Sequence, residues 1–189
     1  MQRAATAIST RTAEAILVAA RERFSSHGYD GTGLRAIAKL AGVNVALIGR
    51  YFGSKEGLFL AAVPPTLDIS RLVSGPMSEF GIRAANVMDM RSHRGFDPML
   101  ALIRAAASPD CAPALKTALD RQVIVPLAMR LDGRDAHARA GMILAAMAGY
   151  DLMIRVIGIE ALQAAAGTQR RHSLAAVLQH IVDSDGGSG

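Results

Sequence analysis

Residues 32–56 (TGLRAIAKLAGVNVALIGRYFGSKE) divide into two short helices around a glycine, with a third helix starting almost at once. Leu34, Ile37, Ala38 and Ala41 fall at i, i+3, i+4 and i+7, which stripes one face of a two-turn helix. Gly42 stands where a helix end needs a left-handed residue, and Val43 offers an apolar side chain to plug the angle beyond it. Asn44 is a good N-cap for the second helix, whose inward positions are Leu47, Ile48 and Phe52. Val45, Ala46, Gly49, Arg50 and Tyr51 are left facing outward. Ser54 caps the third helix. Lys55 in its first turn opposes the helix dipole but suits a phosphate held near a helix N-terminus. The pattern predicts a helix-turn-helix whose small outward face suits close approach to a DNA groove.

Composition narrows the rest of the chain. Its 189 residues are 51% hydrophobic but only 4% aromatic, which favours helices packed through Ala, Leu, Ile, Val and Met and an all-α fold. Residues 1–60 carry Arg3, Arg11, Arg21, Arg23, Arg35, Lys39, Arg50 and Lys55 against Glu14, Glu22, Asp30 and Glu56, so +4 of the net +5 lies in this head. That is the electrostatic footprint of a phosphate-binding module, beside a nearly neutral body. The single cysteine, Cys111, rules out an internal disulfide and has no metal-site spacing. No run of about 18 apolar residues or secretory pattern is evident, so a cytoplasmic protein without a membrane span is expected.

Along the chain, residues 1–9 are expected to be a flexible arm, followed by a helix capped by Thr10 or Thr12 and running to about Ser26, with Ile16, Ala20 and Phe24 inside. Arg3 and Arg11 are candidates to reach an adjacent groove. The helix begun at Lys55 reaches Val63, and Pro64-Pro65 marks the domain boundary, because proline lacks the N–H and restricts the residue before it. The expected domains are a DNA-binding head over 1–60, a helical body over 61–183 and a disordered tail over 184–189. Helical stretches are expected at about 67–73, 77–92, 97–107, 112–131, 134–157 and 170–183. The 134–157 segment is apolar almost all round and must be covered on several sides. Its small residues Ala140, Gly141, Ala145, Ala148 and Gly149 permit close helix approach, and Leu174, Val177, Leu178 and Ile181 stripe the last helix.

Eight methionines lie in the body, where flexible thioethers can line an adaptable apolar pocket. Met88, Met99 and Met129 in the central helices are the better ligand candidates, with Arg104, Gln122 and Tyr150 as polar ones; Asp151 stands in a similar setting. Core packing, surface exposure or an interface explains each of them as well. No two histidines stand at i, i+4, and there is no phosphate-cradling glycine loop or nucleophile elbow. Neither enzyme activity nor a cofactor or metal is expected.

Gly28-Tyr29, Thr32, Ile37-Ala38, Ala41-Gly42-Val43, Tyr51-Phe52 and Ser54-Lys55-Glu56-Gly57-Leu58 resemble the N-terminal domain of tetracycline-repressor-type (TetR/AcrR) transcriptional regulators over roughly residues 11–60. The resemblance implies a three-helix DNA-binding head and a helical body that binds a small molecule and dimerises through its last two long helices. It implies that Thr32 touches the DNA backbone, that Asn44, Val45, Ala46 and Arg50 line the recognition helix, and that Tyr51 and Lys55 hold phosphates. Two departures stand out. Gly49 replaces the tyrosine or asparagine of many relatives, shifting contacts onto Arg50, and Val45 replaces a lysine or another polar residue, pointing to apolar contact with thymine methyls. The expectation is a homodimeric repressor on a palindromic double-stranded DNA operator, released by a small apolar effector. The alternative is a helical ligand-binding or scaffold protein with a degenerate head.

Overall fold

In the computed structural model the backbone is described for residues 2–64, 69–90, 96 and 98–184, and side chains for the same residues except 2–8 and Met90. Among the described residues all regular structure is helical. The elements run α1 (Gln2–His27), α2 (Leu34–Ala41), α3 (Val45–Phe52), α4 (Lys55–Ala62), α5 (Ser70–Val73) and α6 (Phe80–Met90). There follow α7 (Pro98–Ala106), α8 (Ala112–Leu119), α9 (Val125–Ala128), α10 (Ala136–Asp151), α11 (Glu160–Ala164) and α12 (Gly167–Asp183). The side chains of Arg3 and Pro65 and the tail beyond Ser184 lie outside the described residues.

Two compact units emerge, one drawn from residues 1–66 and 95–118, the other from 67–94 and 119–189. Residues 95–118, expected in the body, thus fall with the head in this division, through α7 and α8. The physical reason is tertiary, since α7 meets α1 and buries Met99, Ala101, Leu102 and Ala105. A correction concerns the arm. The α1 backbone is helical from Gln2, because Gln2, Arg3, Ala4, Ala5 and Ala7 are good helix formers, and Thr10 and Thr12 are interior positions, not caps.

The first unit is built around Ile16, Ala20 and Phe24 of α1, all fully buried, as their spacing predicts. Phe59 sets its ring edge-on to both Phe24 (5.1 Å) and Tyr29 (5.5 Å), closing α4 over the end of α1. Arginine side chains satisfy helix ends: Arg21 Nε donates to the Ala62 carbonyl at 2.9 Å, and Arg104 Nη1 donates to the Ser25 carbonyl at 2.5 Å. Ser108 Oγ donates to Asp30 Oδ1 at 2.8 Å, pinning the turn after α1.

The second unit centres on the antiparallel contact of α6 with α12, where a Cβ on Gly81 would collide with the Ala175 carbonyl oxygen. Phe80, Ala84, Met88, Ile143, Met147, Leu174 and Leu178 fill its core. Arg139 is buried, donating from Nη1 to the Val182 carbonyl at 2.9 Å and from Nη2 to the Asp132 carbonyl. The helix expected over 112–131 is continuous, but residues Asp120–Ile124 form a π turn, with the Val125 N–H reaching back to Asp120 O. Pro126, which offers no N–H and crowds the carbonyl four residues back, accounts for the widened turn. The run from α10 likewise passes into a π turn at Leu152–Ile157 before Gly158 ends it.

Candidate nucleic-acid interface and effector cavity

The α2–α3 corner is made by Gly42, whose φ of +66° turns the chain while its N–H bonds back to Ala38 and Lys39. Ile37 and Ala38 of α2 and Ile48 of α3 are buried, and Leu34, Ala41, Leu47 and Phe52 half-buried, which fixes how α3 lies in the head. Asn44 caps α3, its Oδ1 accepting from the Ala46 N–H at 2.8 Å, and Ser54 caps α4 by accepting from the Gly57 N–H at 3.0 Å. Asn44, Val45, Ala46, Gly49 and Arg50 all face solvent. The structure thus brings together, on one exposed surface, four of the seven residues anticipated at DNA.

The other three stand differently. Thr32 is 1% exposed, and its hydroxyl donates to the Gly28 carbonyl at 2.7 Å and the Arg23 carbonyl at 3.0 Å. Its expected contact with the DNA backbone is therefore corrected: the hydroxyl is consumed in closing the turn after α1. The Tyr51 hydroxyl shares a hydrogen bond with Ser9 Oγ at 3.0 Å. Lys55 Nζ lies 4.4 Å from the centroid of the Tyr29 ring, a cation–π contact that ties α4 to that turn. Burial and nearby anions push the Tyr29 phenol up to about 12.

Sequence reasoning passed over Arg35 and Lys39. They are four residues apart on α2, both exposed, and neither joins an ion pair among the described residues. The i, i+4 spacing was the available signal. The N-cap of α2 is Gly33 and, among the described residues, no side chain caps the helix, so the N–H groups of Leu34 and Arg35 are left for an anion.

The expected ligand residues do not gather. Met99 and Arg104 belong to the first unit, Met99 in its core and Arg104 on the end of α1. In the second unit Met88 is core, Gln122 is exposed on the π turn and Met129 is 81% exposed at the end of α9. The Tyr150 hydroxyl is held by Arg170 Nε at 3.1 Å, and Asp151 is buried beside Arg155. None of the six lines the small cavity of about 20 Å³ within the second unit. That cavity is wholly apolar, formed by Leu72 and Val73 of α5, Phe80, Val123, Ile143 and Met147, with neighbours. Its lining was missed because it comes from five segments that no local spacing connects.

A family model for bacterial regulatory proteins of the tetR family matches residues 16–62, and one for a tetracycline-repressor-like C-terminal domain matches residues 79–182. The HTH-type transcriptional regulatory protein RaaS of Mycobacterium tuberculosis is 62% identical over 40 residues, 21% of this chain and 18% of RaaS. The shared stretch thus spans under a fifth of that relative. A TetR-family regulator from Streptomyces coelicolor A3 matches at 29% identity over 93% of this chain and 96% of its own, with a TM-score of 0.60. The multidrug binding protein EbrR, solved in complex with malachite green, shares the fold at 18% identity and a TM-score of 0.63, over 91% of this chain and 98% of its own. Matched by family models in its head and over most of its second unit, the chain belongs to the TetR family of bacterial regulatory proteins.

Proposed function

We propose that the protein is a cytoplasmic, homodimeric repressor that reads a palindromic operator through α3 and leaves it when a small apolar effector binds. Regulators of this family bind DNA and small-molecule effectors and are generally dimers. The observation that carries the reading is the exposed face of α3, where Val45, Ala46 and Gly49 surround the exposed guanidinium of Arg50. A helix so bare fits the major groove, with Arg50 matching the O6 and N7 acceptors of guanine and Val45 and Ala46 matching thymine methyls. Arg35, Lys39 and the open N-terminus of α2 supply phosphate contacts. Lys55 reaches a phosphate only by leaving the Tyr29 ring.

Support for the homodimer comes from the run Ala136–Ile157. It is 22 residues long, and an 18-residue window of it has a mean hydropathy of 1.6, enough by length and composition to cross a membrane, with only 22% of that window buried. Met142 is 60% exposed and Val177 of α12 53%, while Leu174 and Leu178 of the expected stripe are spent in the unit's own core. A two-fold partner covering α10 and α12 removes that apolar surface from water and sets two heads on two half-sites. The apolar cavity supports an uncharged effector. Its volume holds about one water, far below the roughly 300 Å³ of a drug-sized site, so effector binding requires the cavity to open further. An effector then releases DNA by its differential affinity for the opened state.

The test is Arg50→Ala in operator titrations. It is expected to cost about 1–3 kcal/mol on the operator and to relax sequence choice. Equal losses on operator and random duplex would remove Arg50 as a base reader.

A further inference from the structure

Glycine inside a helix is less stable than alanine there, so a helical glycine calls for a reason. The head supplies such reasons elsewhere. Gly42 and Gly53 have φ of +66° and +75°, and a Cβ on Gly57 would collide with the Phe52 carbonyl oxygen. Gly49 has neither kind. It lies in the middle of α3 without a positive φ, and a Cβ built on it meets nothing within 4 Å. The fold would accept alanine without moving an atom.

The surroundings of Gly49 show what its bareness does. Val45 and Gly49 stand four residues apart, so the exposed row they form along α3 carries a single side chain. Ala46 and Arg50 form the adjacent row, and all four residues face solvent. The α3 backbone is thus open to close approach along this strip, with an apolar pair at one end and one cation beside it.

We infer that Gly49 is a specificity-determining residue of the DNA reader, resting on the function proposed above. Its missing side chain lets α3 sink until Val45 and Ala46 press on the C5-methyl of one thymine while Arg50 meets an adjacent guanine. Thymine is the base that shows an apolar group in the major groove, and neither Val45 nor Ala46 has a donor or acceptor side chain for any other edge. A side chain at 49 holds the helix away from that methyl.

The experiment selects duplexes from a random library with the wild-type protein. Wild type, Gly49→Ala and Gly49→Leu are then titrated against the selected duplex, an unrelated duplex, and selected duplexes in which single thymines are replaced by uracil, which removes only the methyl. Gly49→Ala is expected to melt no lower than wild type, yet to bind the selected duplex about tenfold more weakly. Gly49→Leu binds it more weakly still, and the unrelated duplex changes by less than about twofold. One uracil replacement costs the wild type about tenfold and costs Gly49→Ala much less. Gly49→Ala binding as tightly as wild type with the same uracil penalty, or losing equally on both duplexes, overturns the inference while leaving the protein a DNA reader. If the wild type enriches no sequence, the DNA reading fails and takes this inference with it.

Discussion

Thr32→Val separates a fold role from a DNA role at one atom. The buried hydroxyl donates to Gly28 O at 2.7 Å and to Arg23 O at 3.0 Å, and valine keeps nearly the same shape without the donor. The Arg23 carbonyl retains Ser26 Oγ at 3.4 Å, whereas the Gly28 carbonyl loses a donor where water is excluded. Stranding one buried acceptor costs about 1–3 kcal/mol, with no cavity to add. Taking ~2 kcal/mol and ~2–4 °C per kcal/mol for a chain of this size, the melting temperature should fall by about 4–8 °C. Operator affinity measured by fluorescence anisotropy well below the transition should stay within about twofold, with an unchanged salt slope. An unchanged melting temperature together with weaker binding and a salt slope shallower by about 1 would refute the reasoning and return the hydroxyl to a phosphate.

Met142→Glu places a charge on the exposed apolar face of α10, and light scattering at micromolar concentration should then report the 19.8 kDa monomer, against twice that mass expected of the proposed wild-type dimer; a dimer unaffected by the change removes α10 from the interface. Alkaline stability should depend on Cys111, whose thiol burial raises from about 9 to about 11. The unfolded chain sheds that proton first, so the thiol's stabilising contribution is complete below about pH 9 and disappears as the pH climbs to about 11. Urea midpoints of Cys111→Ala should therefore fall less steeply over this window than those of the wild type; parallel slopes would show that the thiol does not titrate late.

What was legible in the sequence is what short-range chemistry determines. Gly42 as a left-handed cap, Asn44 and Ser54 as N-caps and the buried faces of α1 to α3 each depend on a few neighbouring residues, and each is found as expected. The role of Thr32 came from the family resemblance alone, and no local spacing shows that its hydroxyl donates to carbonyls at and just beyond the end of the preceding helix. The π turns follow from ladder shifts that apolar spacing does not encode, although Pro126 was a signal for the first. The effector residues were the least legible. Methionine in a central helix suits core and pocket equally, and only tertiary packing sends Met88 inward and Met129 out.

The inclusion of α7 and α8 in the first unit makes the unit that carries the DNA reader discontinuous along the polypeptide. A fragment stopped after Pro64 would bare the side of α1 that meets α7 and remove the donors on Ser25 and Asp30, leaving an adhesive, unfinished domain. Chimeras that transplant this reader onto a foreign regulator consequently require several splice points, one near residue 66 and others bracketing 95–118. Swapping at a single seam exchanges only part of the machine.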